Sequence, residues 1–327
     1  MAQSQFDPFQ TLADGKPEGW ERELIERLAS SALTEQRRAR RWGIFFKFLL
    51  FLYLFALLAV YLPEDWLGAG MGTKKHSALV DVSGVIADDG AANADDIITG
   101  LRDAFDDHNT EGVILRINSP GGSPVQAGYV YDEIRRLRRE HPDVKLYAVI
   151  SDTGASGAYY IASAADAIYA DKASIVGSIG VLIDGFGFVD TLQKLGVERR
   201  LMTAGDHKGF LDPFSPVRPE DQAYAKEMLE TIHAQFIASV KQGRGDRLKE
   251  DPKLFSGLVW AGEEAFALGL VDGLGSAGYV AREVIGAEDI VDYTTQPDVW
   301  QRLADRIGVA MAEVLGTRLG LGEGRLR

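Results

Sequence analysis

The longest hydrophobic run of the chain lies near its start, from Ile44 to Leu62, and Lys47 is its only charged residue. About nineteen residues at about 1.5 Å rise cover the roughly 30 Å hydrocarbon core of a bilayer. Four arginines lie just before the run, and two acidic residues lie just after it. The positive-inside rule therefore predicts a transmembrane anchor over residues 42–62 and a cytoplasmic tail over residues 1–41, with the rest of the chain across the membrane.

A cleaved signal peptide is the alternative interpretation of this run. Its apolar core is too long and begins too late for such a peptide, and no small-x-small cleavage site follows it directly. A buried core helix is also disfavoured, because the run is apolar on every face. The sequence therefore favours a retained anchor, with membrane lipid as its partner.

Beyond a glycine-bearing linker at residues 63–75, short apolar runs alternate with amphipathic segments. The runs resemble buried strands, and they are Ala78–Val82, Gly112–Asn118, Lys145–Ile150, Ala167–Ala170, Ile179–Leu182 and Glu198–Thr203. Helical spacing marks two of the segments between them, at Ile97, Ile98, Leu101 and Phe105 and at Val130, Ile134 and Leu137. Such alternation predicts an α/β domain with largely buried strands over residues 76–295.

From residue 219 onward the chain is predicted to be mainly helical. Pro219 opens a long helix that runs to about Lys241, and another helix covers Ala261–Leu268. Residues 296–327 are predicted to form an amphipathic helix and a tail. One face of that helix carries Val299, Leu303, Ile307, Met311 and Val314. Such a stripe is typical of packing against protein, here a partner subunit, rather than of binding to a membrane surface.

Composition narrows the function classes. The 327-residue chain has a formal net charge of −13, which argues against a nucleic-acid partner, because phosphate binding needs clustered lysine and arginine. The chain contains no cysteine, which excludes disulfides, a thiolate nucleophile and cysteine metal sites. We expect neither a metal nor another cofactor.

Two glycine-bearing turns carry the candidate chemistry. They lie in Ile117–Pro124 and in Asp152–Tyr160, and each comes at the end of a predicted strand and precedes a helix. Sites in α/β sheets form outside the carboxyl ends of strands, so the two turns are expected to act together. One turn then supplies the Gly122 N–H as an oxyanion donor, and the other supplies Ser156 as nucleophile with the Gly157 N–H as second donor. The ordinary alternatives are a tight turn for the first and a helix N-cap for Ser156.

A serine nucleophile needs a base. The five histidines have no recognisable companion acid, and His233 lies inside the long helix, where a packing or solvated role is expected. Lys208 instead lies in a loop beside His207 and near Phe210 and Phe214. A lysine acts as a base when a dry environment lowers its pKa from about 10.4 toward neutrality, and Ser–Lys pairs occur on several folds. The alternative is an ordinary solvated loop lysine.

Together these features resemble the signal peptide peptidase A family of bacterial membrane serine peptidases, in its short, single-repeat form. The likeness is carried by the apolar segment, SPGGS at 119–123, GASGAYYIA at 154–162, VGSIGV at 176–181 and the Lys208 loop. It runs from about residue 77 to about residue 293 and implies a fold like that of Clp protease and crotonase, with repeated β-β-α units.

The resemblance also implies the roles of individual residues. Ser156 stands at the position of the nucleophile, Lys208 at that of the general base, and Ser178 at that of a serine that hydrogen-bonds the base. Gly122 and Gly157 stand at the positions of the oxyanion hole. His207 departs from the family pattern, and the sequence alone treats it as incidental.

Substrates and assembly follow from the same resemblance. The family cleaves signal peptide remnants in the membrane and assembles into homo-oligomeric rings with inward-facing sites. The resemblance leaves two arrangements open, in which Ser156 and Lys208 pair within one subunit or between adjacent subunits. The implied location is the bacterial inner membrane, single-pass, with a cytoplasmic N-terminus and a periplasmic catalytic domain.

Other functions stay open on the sequence alone. A crotonase-like acyl-CoA hydratase or isomerase shares the implied fold and oxyanion hole, but it predicts carboxylate acid/bases and usually no anchor. A non-catalytic membrane scaffold of the same fold predicts loss of the serine or the lysine, and both are present. Within the enzyme class, a phage-type or stomatin-linked peptidase is a further alternative.

Overall fold

The computed structural model describes residue 19, residues 36–38 and 40–56, and residues 74–295. The chain divides into two compact units, one up to Met71 and one from Gly72, and each is described by itself. In the first unit, residues 36–38 and 40–56 are helical and exposed. No helix among the described residues is long and apolar enough to cross a bilayer.

Several sequence predictions fall wholly or partly outside the described residues. They concern the tail, the second part of the anchor at 42–62, the linker up to residue 73 and the C-terminal helix at 296–327. These stay predictions, and so do the domain boundaries.

The second unit is built on one eight-stranded sheet. Its strands are β1 His76–Ser83, β2 Thr110–Ser119, β3 Lys145–Ala155, β4 Ala167–Ala170, β5 Ile175–Gly177, β6 Val259–Ala261, β7 Gly273–Leu274 and β8 Ile290–Asp292. The main order is β6-β5-β3-β2-β1-β8, and β4 pairs with β3 and β7. All pairings are parallel except that of β5 with β6. The predicted α/β class is therefore confirmed.

Helices connect and cover these strands. They are α1 Ala94–Asp106, α2 Pro124–Glu140, α3 Gly157–Ala162, α4 Val189–Lys194, α5 Pro219–Arg244, α6 Gly262–Ala267 and α7 Ala277–Tyr279, which continues into the π-helical residues Val280–Ile285. The helices predicted from Pro219 and over Ala261–Leu268 correspond to α5 and α6 and are confirmed.

The central strands are buried on both faces, which explains their continuous apolar sequences. On one face Val80 of β1 and Leu115 of β2 belong to the main core with the inner sides of α1, α2 and α3. On the other face Leu79 and Ile114 pack with Val280 in a smaller core.

Four of the six predicted strands are confirmed, and two are wrong. Residues 179–182 do not form a strand, because β5 ends at Gly177 and the next residue, Ser178, has a φ of 51°, which turns the chain out of the extended conformation. Glu198–Thr203 contains no strand either. Its apolar residues face outward, and Met202 is 93% exposed, so this apolar run does not belong to the hydrophobic core.

Candidate active site

The first glycine turn follows the carboxyl end of β2 and is fixed by a neighbouring segment. The Ile86 N–H donates to the Gly121 carbonyl at 2.9 Å, and the Ser123 N–H donates to the Ile86 carbonyl at 2.8 Å. Neither of these two bonds uses the Gly122 N–H. A Cβ on Gly122, whose φ is 152°, would lie 2.1 Å from the Ile86 carbonyl oxygen. Only glycine therefore fits here.

The second turn places Ser156 in a conformation that serine rarely adopts. Its φ is 53° and its ψ is −125°, between β3 and α3. Its N–H donates to the Gly177 carbonyl at 2.8 Å, which ties the turn to β5. The Ser156 side chain makes no capping hydrogen bond, whereas the Ser123 side chain accepts one from the Gln126 N–H. The ordinary N-cap role is therefore not the role of Ser156.

Parallel pairing of β2 with β3 brings the two turns together. Ser119 lies opposite Gly154 in the register, so both strands end at the same edge of the sheet. A Cβ on Gly121 would lie 2.7 Å from both the Ser156 Cβ and the Gly157 nitrogen. A Cβ on Gly157 would lie 3.3 Å from the Gly122 nitrogen. The Gly157 N–H, in the first turn of α3, lacks an intrahelical acceptor. Two backbone donors thus lie beside the Ser156 side chain.

A cavity of about 600 Å³ opens beside this pair of turns. Its walls include Ser156, Gly122, Gly157 and Ser178, so four of the five predicted site residues line one space. Ser178 is held there by its N–H, which donates to the Leu258 carbonyl at 2.7 Å.

The rest of the cavity wall is largely apolar. It includes Tyr160, Ile232, Phe236 and Phe255. The rings of Tyr160 and Phe236 stack with centroids 4.9 Å apart. Such a wall suits an apolar side chain next to a reacting group.

His233 also lines this cavity, which the sequence reasoning missed. Its Nε2 lies 3.0 Å from the Ile179 carbonyl, next to Ser178, so α5 is tied to the cavity wall there. Phe236 lies one turn further along α5 and also lines the cavity. The helical spacing of these two residues was the available signal.

Lys208 is not among the residues that line the cavity. It is exposed, in a loop whose neighbour His207 contacts Asp221 at the start of α5. Asp221 and His233 are twelve residues apart along α5, which corresponds to about 18 Å at 1.5 Å per residue. The point where the loop contacts α5 is thus distant, along the helix, from the part of α5 that lines the Ser156 cavity.

The strained backbone of Ser156 leads to a stability prediction. Positive φ costs a non-glycine residue about 1–3 kcal/mol, whereas glycine adopts it freely. Ser156→Gly is therefore expected to be about 1 kcal/mol more stable to urea than Ser156→Ala, since part of the gain is offset by the greater entropy of unfolded glycine. At Ser239, inside α5, the order is expected to reverse, with alanine the more stable. Equal stabilities at position 156 would contradict backbone strain there.

Comparison with known proteins now adds to this geometry. Residues 138–289 match the model of peptidase family S49. A protein of Enterococcus faecium named as a signal peptide peptidase SppA is 31% identical over 222 residues, covering 65% of this chain and 64% of that one. A protein of Methanocaldococcus jannaschii that carries the name of a protease is 30% identical over 227 residues, covering 69% of this chain and 71% of that one.

A third relative has a different name. A protein of Brucella abortus named Na(+)/H(+) antiporter NhaA is 48% identical over 186 residues, which is 57% of this chain but only 25% of that one. Three quarters of the Brucella protein thus lie outside the match, and that name refers to the whole protein. This chain covers less than two thirds of both the Brucella and the Enterococcus proteins.

Proposed function

The chain belongs to peptidase family S49, in its signal peptide peptidase A type, and from this premise we propose that it is a serine peptidase with Ser156 as nucleophile and Lys208 as general base. The observation that carries the proposal is the meeting of the Gly121-Gly122 turn with Ser156. A half-buried serine side chain that lines a cavity and is free of capping, with two backbone donors at its side, is what acyl transfer requires.

The proposed reaction is hydrolysis through an acyl-enzyme. Neutral Lys208 takes the proton of the Ser156 hydroxyl, and Oγ attacks the carbonyl carbon of the peptide bond. The Gly122 and Gly157 N–H groups stabilise the oxyanion. Protonated Lys208 then gives its proton to the leaving amine of the substrate. The Lys208 side chain is now neutral again and takes a proton from the water that hydrolyses the acyl-enzyme ester. Ser178 is proposed to hydrogen-bond the Lys208 amine.

We further propose that Ser156 and Lys208 come from adjacent subunits of a homo-oligomeric ring. Two observations support this. Lys208 is exposed and separate from the cavity of its own chain. The segment around it also exposes large apolar side chains, which a neighbouring subunit would cover. They include Leu182, Phe186, Leu195, Met202 and Val217.

The proposed substrates are apolar peptides, foremost signal peptide remnants in the membrane. The apolar wall formed by Tyr160, Ile232 and Phe236 supports this class. The apolar sequence at residues 42–62 supports a membrane anchor, and its flanking charges support a catalytic domain outside the cytoplasm. The parallel order of β1, β2, β3 and β4 supports the finer fold, that of Clp protease and crotonase.

Labelling with a fluorophosphonate tests the proposed nucleophile. The purified full-length chain is expected to gain one covalent adduct per subunit, and peptide mapping by mass spectrometry is expected to find it on Ser156. Heat-denatured chain is the control and is expected to gain none, because an ordinary serine does not react. An adduct on another serine, or no adduct on folded protein that cleaves peptides, would contradict the assignment.

A crotonase-like acyl-CoA hydratase is the second candidate. Such chemistry needs a carboxylate acid/base, and the described residues that line the cavity include none. A spectrophotometric enoyl-CoA hydration assay is expected to show no turnover above buffer.

A further inference from the structure

A buried carboxylate anchors the loop that carries Lys208. Asp221, in the first turn of α5, is 3% exposed. Its Oδ2 accepts from the Arg218 Nε at 2.8 Å, and its Oδ1 accepts from the Arg218 Nη2 at 2.8 Å. The His207 Nδ1 lies 3.0 Å from the same Oδ1. A buried charge persists only when it is paired and hydrogen-bonded, so these contacts decide the position of the loop.

The direction of the histidine contact follows from charge. Hydrogen bonds from Arg218 and then from His207 hold the pKa of Asp221 below its ordinary value, so the carboxylate is ionised at neutral pH. An ionised carboxylate only accepts, and we therefore assign the proton to the His207 Nδ1, which donates. The His207 side chain is 67% exposed, and its Nδ1 also lies 3.3 Å from the Arg218 Nη2, which donates to the same Asp221 Oδ1.

Further contacts hold the loop on both sides of Lys208. The Arg218 Nη1 donates to the Asp206 carbonyl at 3.1 Å, before the lysine. After it, the Phe210 N–H donates to the His207 carbonyl at 3.0 Å, and the Phe210 ring packs edge-on against Tyr224 at 5.8 Å between centroids. The backbone of Lys208 is therefore held to α5, while its side chain is exposed.

We propose that His207 is a positioning residue, which sets the direction of Lys208 by donating its Nδ1 proton to the buried Asp221. This rests on the proposed function, in which Lys208 is the base. A base acts only within hydrogen-bond reach of the proton it takes, and a misplacement of about 1 Å costs about 100-fold in rate. A direct bond from the residue next to the base limits such displacement.

Steady-state hydrolysis of a fluorogenic apolar peptide by the full-length chain tests this role. His207→Ala is expected to lower kcat by about 10- to 100-fold with KM changed by less than about 2-fold, because the loop loses its direct bond but the Ser156 cavity is untouched. His207→Asn keeps a side-chain N–H near the place of Nδ1 and is expected to recover kcat to within about 3-fold of wild type. His108→Ala is the matched control, since that histidine is also exposed, at 90% of its side chain, and is expected to change neither constant.

Each outcome separates the positioning role from its alternatives. Wild-type kcat in His207→Ala, with Lys208→Ala inactive in the same assay, would overturn the positioning role and leave the proposed base intact. Full activity of Lys208→Ala would instead overturn the proposed function itself. A purely structural role predicts that His207→Ala lowers the melting temperature or the oligomer size and that asparagine does not rescue kcat. That pattern would also overturn the proposal.

Discussion

Ser156→Ala and Lys208→Ala are each expected to lower peptide hydrolysis by about 10⁴-fold or more, and rings assembled from the two inactive chains together are expected to regain activity. The single losses follow because one variant lacks the nucleophile and the other lacks the base. The recovery follows if the dyad forms between subunits. A Lys208→Ala chain still provides Ser156, and a neighbouring Ser156→Ala chain still provides Lys208.

Random mixing sets the size of the recovery. In a ring with equal numbers of both chains, about one quarter of the interfaces pair an intact serine with an intact lysine. Co-expression with two different tags and purification through both gives such rings, and their hydrolysis rate is compared with wild type. Rings made from a chain with both substitutions and wild-type chain are the control for assembly. If the mixed inactive chains stay inactive while that control is active, the dyad lies within one chain.

The strands were predictable where an apolar run in the sequence corresponds to buried residues in the structure. Ala167–Ala170 was predicted with its observed bounds, because a strand covered on both faces is apolar throughout. The same rule failed at Glu198–Thr203, where Leu201 and Met202 are apolar but exposed. An apolar residue that packs in the core of its own chain and an apolar residue that is exposed on the surface have the same sequence pattern.

The candidate site was predictable as far as it depends on backbone. The glycines at 121 and 122 are required by a close approach of other backbone atoms, and such a requirement is visible as residue type. The conformation of Ser156 was not predictable, because its positive φ occurs together with an N–H bond to Gly177 on the neighbouring β5, which is distant in sequence.

Contacts between side chains that are far apart in the sequence could not be predicted. The contact of His207 with Asp221 was not predictable, because Asp221 lies fourteen residues later in another element. His233 was expected only to pack or to be solvated, and its place in the cavity wall becomes evident only once α5 lies across that wall. Both depend on how α5 is docked, which local spacing does not specify.

The largest stability effect is expected at the other end of α5, where Arg244 is 1% exposed. Its Nη1 donates to the Asp272 Oδ2 at 2.6 Å, and its Nε donates to the Gly269 carbonyl at 3.0 Å. Asp272 also accepts from the Ile168 N–H at 2.7 Å, so the cluster joins α5 to β4. Arg244→Met is expected to lower the free energy of unfolding by about 3–5 kcal/mol, because it leaves a carboxylate short of a buried partner.

The pH dependence of this loss has a definite sign. Burial alone would raise the pKa of Asp272, but the hydrogen bonds and the charge of Arg244 outweigh it and hold the pKa below its ordinary value. A carboxyl with a lowered folded pKa stabilises the fold above its unfolded pKa of about 3.9, and that stabilisation is lost as the pH falls through the folded pKa. Arg244→Met removes the largest lowering influence, so the pKa of Asp272 is higher in the folded variant than in folded wild type. The gap in unfolding free energy is therefore expected to be full at pH 7 and to narrow as the pH falls through these two folded-state pKa values.

Urea unfolding followed by pulse proteolysis of the full-length chain measures this gap at each pH. Arg282→Met is the matched control, because the Arg282–Glu283 pair is about half exposed and such pairs add little. We expect no change in its unfolding midpoint. A loss below about 1 kcal/mol for Arg244→Met at pH 7 would mean that apolar packing of α5, rather than the Arg244–Asp272 pair, holds the helix that supports both the cavity wall and the Lys208 loop.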